Sequence, residues 1–304
     1  MIGYLAQLWG RWRAIRRRAR TVLGMNQRNL HCIYPHNPRR HFPLADDKLQ
    51  TKTLLEAAGV PVPATYRVYR YFYELSDLKN DLLKYTDFVI KPSRGSGGGG
   101  IVVIAGREGD DWLGPGGRRY TIDELRKQIS DIIFGVYSFD LSDAAVIEER
   151  VVQHPEMTVL SPFGLADVRV ILLQDRPVLA MSRIPTRASD GRANLHQGAL
   201  GLGIELETGR TTHAILKNES IKVHPDTGEA LLERVIPHWP EIMRIAQRAA
   251  EQVPLKYLGV DIGVSENGPV MIEINVRPGL QIQNANLLGL RGRMSELGLL
   301  AGTS

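Results

Sequence analysis

Three oxygen-bearing side chains late in the chain, Asp261, Glu273 and Asn275, could together bind a divalent cation. Within residues 270–276, the two-residue period of a β-strand puts Glu273 and Asn275 on one face and isoleucines on the other. Carboxylate and amide oxygens are hard ligands that suit Mg²⁺, above all where nucleotide phosphates complete its coordination. The pattern therefore predicts a magnesium site, with an unrelated, solvated trio on an edge hairpin as the alternative.

The position of Asp261 depends on a hairpin between two strand patterns. Residues 265–269 read SENGP, which is typical of a hairpin loop. A loop of these five residues would pair Val264 with Val270, and the register would then place Asp261 directly opposite Glu273. Two carboxylates that face each other destabilise a strand pair unless a cation lies between them. The predicted register therefore strengthens the expectation of a metal.

A run of glycines in the first half of the chain could bind phosphate. Residues 95–100 read GSGGGG and match GxGxxG, but residues 101–104, IVVI, continue as a strand rather than a helix. No Lys-Ser/Thr pair follows the glycines, so the run is neither a Rossmann fingerprint nor a P-loop. The backbone N–H groups of Gly97, Gly98 and Gly99 could instead form a flexible flap over phosphates, and a mobile hairpin turn is the alternative.

Cationic side chains accompany both motifs. Lys91 ends a strand pattern immediately before the flap, where its ammonium could meet phosphate oxygens, although a strand-end lysine on the surface is the ordinary alternative. Arginines near a metal-type cluster could hold a transferred phosphate or a substrate carboxylate through paired hydrogen bonds, and surface ion pairing is the competing interpretation. The arginines and the polar residues near them in this region are Asp167, Arg169, Arg183, Arg192, Asn194 and His196.

The order of strand and helix patterns indicates an α+β protein. Asp46 or Asp47 could cap a helix that ends at Ala58, because Gly59 and two prolines follow it. Strands are expected over residues 64–69, 88–91, 101–104, 145–151, 167–174, 177–183, 258–264 and 269–276. Helices are expected over residues 76–84, 121–134, 228–253 and beyond Gln281, while residues 106–120 and 184–200 are expected to be irregular.

The basic charge of the chain belongs to its first 45 residues. They contain nine Arg and no Lys, Asp or Glu, and removing these nine charges from the formal net charge of +5 leaves −4 for the rest. The remainder gives no reason to expect a nucleic-acid surface. Residues 31–43, which are rich in Pro, His, Asn and Arg, predict an irregular connection with a boundary near residue 45.

The beginning of this basic region predicts an amphipathic helix. Apolar residues recur at helical spacing and arginines load the other positions. Such a helix docks on an anionic membrane surface or an acidic partner, and packing on its own protein is an equal alternative. The apolar residues are Tyr4, Leu5, Leu8, Trp9, Trp12 and Ile15.

Composition indicates the cellular compartment and excludes disulfides and cysteine-based metal sites. The single cysteine, Cys32, excludes an intramolecular disulfide and a cysteine-based metal cluster. No apolar run approaches the roughly 20 residues needed to cross a bilayer. We therefore expect a soluble, cytoplasmic protein, with peripheral attachment at the inner membrane face as the alternative that the basic helix leaves open.

Taken in order, these motifs resemble the ATP-grasp superfamily, and most closely the RimK-like α-L-glutamate ligases. The resemblance runs from about residue 46 to residue 280, which is most of the chain. It rests on DDKLQTKTLLEAAGVPVPAT at 46–65, VIKPSRGSGGGG at 89–100, VIEERV at 146–151, DVRVILLQDRPVLAMSR at 167–183, GRANLHQG at 191–198, and GVDIG with EINVRPGL at 259–280.

The resemblance implies an ATP-grasp fold in which two α+β lobes, residues 46–145 with the flap and residues 146–304 with the metal site, clasp ATP. A basic arm and connection, residues 1–45, would precede them. By the same resemblance, nucleotide contacts are expected from Lys48, Lys91, the flap glycines, Glu148, Glu149, Val151 and Asp167. Phosphate-side or substrate roles are expected from Arg183, Arg192, Asn194 and Arg277, and binding of two magnesium ions, with Mn²⁺ as an alternative, from Asp261, Glu273 and Asn275.

The activity implied by the resemblance is ADP-forming ligation of a carboxylate to an amine through an acyl phosphate. The donor would be glutamate or another amino acid, and the acceptor a peptide, a protein or a small amine. Two alternatives remain: a non-catalytic nucleotide-binding switch or docking module, and a ligase of cell-surface polymer synthesis.

Two departures from the family pattern concern substrate selection. Only 47 residues precede Lys48, whereas family members carry a complete α/β domain there. The resemblance therefore implies a truncated N-terminal domain, whose missing part another subunit or partner could supply, and a homo-oligomer stays open. Residues 106–140 also form a longer segment than the family leads us to expect.

Overall fold

The computed structural model describes residues 19–95 and 97–300, and these form three antiparallel sheets with helices around them. This confirms the α+β prediction. The strands are β1 (Thr65–Tyr69), β2 (Phe88–Pro92), β3 (Val102–Ile104), β4 (Gly106–Glu108), β5 (Asp111–Leu113), β6 (Arg119–Tyr120), β7 (Ala145–Glu148), β8 (Asp167–Leu173), β9 (Arg176–Ile184), β10 (Leu200–Ile204), β11 (Thr211–Leu216), β12 (Glu219–Ile221), β13 (Tyr257–Ser265) and β14 (Gly268–Asn275).

The helices that follow residue 47 are short to medium in length. They are α1 (Lys48–Ala57), α2 (Leu78–Leu82), α3 (Ile122–Ile133), α4 (Pro155–Leu160), α5 (Trp239–Glu251), α6 (Ile282–Asn286) and α7 (Leu290–Glu296), with 3₁₀ turns at Phe72–Asp77, Arg187–Ser189 and Leu195–Gln197. The predicted cap of α1 is confirmed, because Asp47 accepts hydrogen bonds from the amides of Leu49 and Gln50.

A four-stranded sheet in the order β1-β7-β2-β3 forms the first lobe. Helix α3 packs its apolar face, including Leu125, Ile129 and Ile132, on this sheet. Strand β7 lies in the middle of the sheet, although three of its four residues, 146–148, fall in the predicted second lobe. The chain therefore completes the first sheet before it enters the second, and the division into lobes stays a prediction.

A seven-stranded sheet in the order β12-β11-β10-β9-β8-β13-β14 forms the second lobe. Both faces are covered: Val168 and Val170 of β8 belong to the core that contains α5, whereas Ile171 and Leu173 belong to the core that contains α6 and α7. Double burial explains why β8 reads as a continuous apolar run interrupted only by Asp167 and Arg169. These two polar residues lie on the same face of the sheet as Ile171.

The segment expected to be an irregular connection is in fact packed. Residues 25–36 form consecutive helical turns, and Leu23, Cys32 and Ile33 are buried against the second lobe. Asn37 is buried as well: its side chain donates to Tyr257 O (2.7 Å) and accepts from the amides of Lys256 (3.0 Å) and Tyr257 (2.9 Å). The prediction failed because the hydrogen-bond partners lie more than 200 residues away along the chain.

Two other predictions from the sequence were wrong, and three strands were missed. Residues 106–120, expected to be a loop, form the small sheet β4-β5-β6 around the fully buried Trp112. The strands β10, β11 and β12 were not predicted. The helix expected from residue 228 begins only at Trp239, after turns and isolated bridges. The strands of the small sheet have only two or three residues, which is too short for a periodic pattern to reveal.

The predicted pairing of Asp261 with Glu273 is confirmed, although the hairpin closes differently. The turn is tighter than expected, so that Ser265 pairs with Gly268 and Pro269 is a strand residue. A bulge between Asp261 and Ile262 then shifts the register by one residue. The tight turn and the bulge offset each other and restore the predicted pair.

No helix in the described residues is long and apolar enough to cross a membrane. Cys32 is a free, buried thiol whose Sγ lies 3.9 Å from Met294 Sδ. Burial raises the pKa of this thiol to about 11. The predicted amphipathic helix lies almost entirely in residues 1–18, outside the described part of the chain.

Candidate active site

A cleft between the two sheets collects several of the predicted nucleotide residues. It is lined by Lys48 and Lys52 of α1, Lys91 of β2, Glu148 of β7 and Glu273 of β14. Helix α1 carries both lysines on one side because they are four residues apart. The cleft therefore joins the first sheet, the capped helix and the metal-type hairpin.

Lys48 links the base of the flap to the hairpin. Its ammonium donates to Gly95 O (2.6 Å) and lies 3.2 Å from Glu273 Oε1. The helix start is also fixed to the strand before the flap, because the Lys48 amide donates to Ser93 O (2.9 Å). A single residue thus holds together three of the predicted parts of the site.

Glu148 forms the floor of the cleft with two lysines. Lys91 Nζ lies 2.5 Å from Glu148 Oε1, and Lys52 Nζ lies 3.0 Å from Glu148 Oε2. All three side chains are almost fully buried. Burial lowers the pKa of Lys52, and the adjacent Glu148 opposes this effect. Lys52 was not predicted, and its only signal in the sequence was the four-residue spacing from Lys48.

Asp261 accepts hydrogen bonds from two arginines and an amide. Arg169 binds both of its oxygens, through Nε (2.7 Å) and Nη2 (2.6 Å), while Arg183 Nη2 (2.7 Å) and Asn275 Nδ2 (3.0 Å) share Oδ2. Arg183 also grips Asp167 with Nε (2.7 Å) and Nη2 (2.5 Å). The four charged residues form one buried network, in which bidentate arginine pairs fix the geometry.

The two carboxylates of this network have pKa values shifted in opposite directions. Burial raises the pKa of Asp167 to about 6, and the charge of Arg183 only partly offsets it. For Asp261, burial also raises the pKa, but Arg169 and Arg183 together outweigh burial and hold the pKa below its usual range. Asp261 is therefore the firmly ionised member, and the two arginines already balance its charge.

The predicted metal trio offers the right donor atoms for Mg²⁺. Glu273 and Asn275 are partly exposed, and Asp261 Oδ1 accepts a hydrogen bond from Arg169 Nε. Carboxylate and amide oxygens are the ligands this ion prefers. Across residues 19–95 and 97–300, no group of three or more His, Cys, Asp or Glu side chains is arranged to hold a metal, so the amide of Asn275 is needed as the third donor.

The flap approaches the second lobe. A carbon at the Cβ position of Gly98 would lie 3.6 Å from Arg192 Cδ, and one at Gly97 would lie 3.8 Å from Asn194 Nδ2. Both glycines have positive φ angles, +79° and +65°, which favour glycine over other residues. Gly99 belongs to the same turn. Arg192 and Asn194 thus face the flap, as expected of phosphate-side residues.

Three predicted site residues lie outside both the cleft and the buried network of Asp261 and its arginines. Glu149 is exposed and ties β7 to the start of β1, because its carboxylate and amide bond to the backbone of Ala64. Val151 is half-buried near Gly263 of β13. Arg277 is exposed, and its guanidinium carbon lies 5.3 Å from the centre of the Phe42 ring. Arg169 shows the converse, since it contacts Asp261 directly but was assigned no individual role.

Comparison with known proteins identifies the family. The sequence model of the sugar-transfer associated ATP-grasp family matches residues 27–298, nearly the whole chain. The chain belongs to this ATP-grasp family. The ATP-grasp fold and superfamily predicted from the ordered motifs are thereby confirmed. The family match also includes residues 27–45, in agreement with their packing on the second lobe.

This ATP-grasp chain is also similar to individual proteins. It is 26% identical over 265 residues to a "Probable alpha-L-glutamate ligase" of Trichodesmium erythraeum, covering 87% of this chain and 67% of the relative. It is 25% identical to a cyanophycin synthetase of Synechocystis sp., covering 92% of this chain and 33% of the relative. The chain thus spans from about a third to about two thirds of these relatives' length.

Among solved structures, the D-Ala:D-Ser ligase VanG of Enterococcus faecalis aligns with a TM-score of 0.49 and 17% identity, covering 84% of this chain and 62% of that chain.

Proposed function

We propose that this protein is an ATP-dependent carboxylate–amine ligase that forms an amide bond through an acyl phosphate. The observation that carries the proposal is the convergence of Lys48, Lys91 and Glu273 on one cleft beside the flap. Cations and a metal-type carboxylate in one cleft suit nucleotide phosphates, and membership of the ATP-grasp family agrees with ATP as the nucleotide.

The reaction proceeds in two balanced steps. A carboxylate oxygen attacks the γ-phosphorus of ATP, the bond to the β-phosphate oxygen breaks, and ADP leaves. The amine nitrogen then attacks the acyl carbon, loses a proton, and inorganic phosphate leaves with the oxygen that came from the carboxylate. No side chain becomes a covalent nucleophile, and flap closure keeps water from the acyl phosphate.

Each group of predicted site residues binds a different part of the substrates. Lys48, Lys91 and the flap amides hold phosphate oxygens, and Arg192 and Asn194 close the site from the second lobe. Residues 148–151 meet the adenine edge, Asp167 the ribose, and Arg183 the developing acyl phosphate. The role of Arg277 in holding a substrate carboxylate rests on the resemblance alone. Asp261, Glu273 and Asn275 would hold two magnesium ions, or manganese, which neutralise phosphate charge when bound.

The substrate pair is proposed from two sources. The names of the relatives, a glutamate ligase and a cyanophycin synthetase, favour an amino acid as the donor and a peptide or protein as the acceptor. The description of the family as associated with sugar transfer favours the second candidate, a ligase whose acceptor belongs to a sugar-linked surface polymer. The concentration of Lys48, Lys91 and Glu273 in one cleft favours either ligase over a non-catalytic module.

A substrate panel tests the proposal. The full-length protein is mixed with Mg-ATP, each amino acid in turn and a set of amines, peptides and amino sugars, and ADP, phosphate and product mass are measured together. We expect ADP and phosphate in equal amounts, dependent on one amino acid, with a product heavier than the acceptor by that residue. AMP and pyrophosphate as products would contradict the acyl-phosphate route.

We further propose that the basic N-terminal region docks on an anionic membrane surface. Among its described residues, Val22 and Met25 are exposed, and no acidic residue occurs before Asp46. Co-sedimentation with anionic liposomes, with and without residues 1–25, checks this: the full chain should pellet and the shortened chain should not. Equal sedimentation would remove the membrane proposal and leave an acidic partner or self-packing.

A further inference from the structure

The floor of the cleft contains more positive than negative charge. Glu148 carries one negative charge and contacts two ammonium groups, Lys91 at 2.5 Å on Oε1 and Lys52 at 3.0 Å on Oε2. The side chains of Lys91, Lys52 and Glu148 are 10%, 9% and 6% exposed, so water screens this surplus only weakly. The arrangement suits an anionic ligand that engages one of the two lysines.

Lys91 is the lysine placed to leave Glu148 and bind a phosphate. It belongs to β2, the strand that leads into the flap, and it has the predicted phosphate role. If Lys91 turned towards a phosphate in a site without Lys52, Glu148 would stay behind as a buried, unpaired carboxylate. Lys52 removes this cost because it keeps Glu148 paired on the other oxygen.

Lys52 itself is held in place. It lies in the second turn of α1, one turn after Lys48, and burial lowers its pKa while Glu148 counteracts this effect. The ion pair with Glu148 therefore offsets the free-energy cost of burying the Lys52 ammonium. Lys48 at the same time points to Gly95 O and Glu273, so the two lysines of α1 serve different ends of the cleft.

We infer that Lys52 is a positioning residue that anchors Glu148 and thereby frees Lys91 to bind the phosphates of ATP. Lys52 does not touch the nucleotide and acts only through Glu148. The inference rests on the proposed function in one respect, that ATP binds in this cleft.

The test measures ATP binding and turnover separately. Calorimetry with Mg-ATP gives Kd, and steady-state ADP release gives kcat and KM for Lys52→Met, Lys52→Arg and Lys91→Met, with Lys84→Met, an exposed lysine, as the control. Lys52→Met should weaken ATP binding about tenfold and raise KM for ATP accordingly, with kcat at saturating ATP within twofold of wild type. Lys52→Arg should restore most of the affinity, whereas Lys91→Met should lose kcat as well.

A double-mutant cycle with Glu148→Gln makes the inference specific. Because Lys52 acts through Glu148, Lys52→Met should raise Kd less than twofold in the Glu148→Gln background. The same tenfold rise in both backgrounds would overturn the inference. An unchanged Kd in Lys52→Met, or a loss of kcat equal to that of Lys91→Met, would also overturn it. Lys52→Gln replaces Lys52→Met if the methionine variant does not fold. Absence of ATP binding by the wild type would overturn the proposed function and this inference together.

Discussion

At the scale of single residues, four carboxylates of the site each have a cationic partner, and the partners are arginines for two of them and lysines for the others. Arginine forks bind Asp261 and Asp167, two lysines bind Glu148, and within residues 19–95 and 97–300 only Lys48 pairs with Glu273. Arginine forks fix geometry, whereas a lysine is a mobile point charge. Glu273, the most exposed of the four with a single flexible partner, is therefore the carboxylate most ready to accept a metal.

Replacing Glu273 tests that assignment. Glu273→Ala should lower turnover by about 100-fold or more, the order expected when a group that stabilises transition-state charge is removed. Glu266→Ala is the matched control, because Glu266 lies exposed in the turn of the same hairpin. Steady-state ADP release at saturating ATP checks both variants. A Glu273→Ala variant as active as the control would defeat the metal assignment.

The raised pKa of Asp167 makes stability depend on pH. Since the folded-state pKa, about 6, lies above the ordinary value of 3.8, the folded protein binds this proton more tightly than the unfolded chain does. The contribution to stability is therefore fully present below pH 4 and is lost as the pH rises through 6, by at most about 3 kcal/mol.

Urea unfolding of wild type and Asp167→Asn at several pH values measures this dependence. The free energy of unfolding of the wild type, minus that of the variant, should fall between pH 4 and pH 7. Asp190→Asn removes an exposed carboxylate and should show no such trend. A difference that is constant or grows with pH would show that the guanidinium of Arg183, and not burial, dominates at Asp167.

At the scale of elements, the N-terminal segment behaves as part of the second lobe. Leu23 exchanges two hydrogen bonds with the side chain of Gln283, at 2.8 and 3.1 Å, and Asn37 caps the start of β13. Asn37→Ala should lower the free energy of unfolding by about 2 kcal/mol, because it removes the partner of the buried Tyr257 amide, whereas the Lys256 amide still donates to His36 O. Urea denaturation against Asn26→Ala, an exposed residue of the same segment, checks this, and equal stability would mean that the segment is only loosely attached.

Elements differed in how far the sequence predicted them. The cap of α1, the start of α3 and the strands of the first sheet follow from local patterns, because Asp47 and Thr121 accept hydrogen bonds from amides within their own helices. The sheet around Trp112 and the packing of Asn37 depend on contacts that no local pattern carries. The Asp261–Glu273 pair was predicted correctly because the tight turn and the bulge compensate each other.

At the scale of the whole molecule, the cleft lies where the two sheets meet. Lys48 reaches from α1 to the flap base and to β14, and Lys52 reaches from α1 to β7. Residue types and family motifs predicted Lys48, Lys91 and the metal trio. The roles of Lys52 and Arg169 could not be predicted, because they depend on the carboxylates, Glu148 and Asp261, that the fold brings beside them.

The transfer of oxygen from the carboxylate to phosphate tests the central claim most directly. The amino acid that supports ADP release is labelled with ¹⁸O in its carboxylate, and the released phosphate is analysed by mass spectrometry. The acyl-phosphate route predicts one ¹⁸O atom in each inorganic phosphate molecule and none in the ADP. Unlabelled phosphate, or label in AMP, would contradict the proposed chemistry.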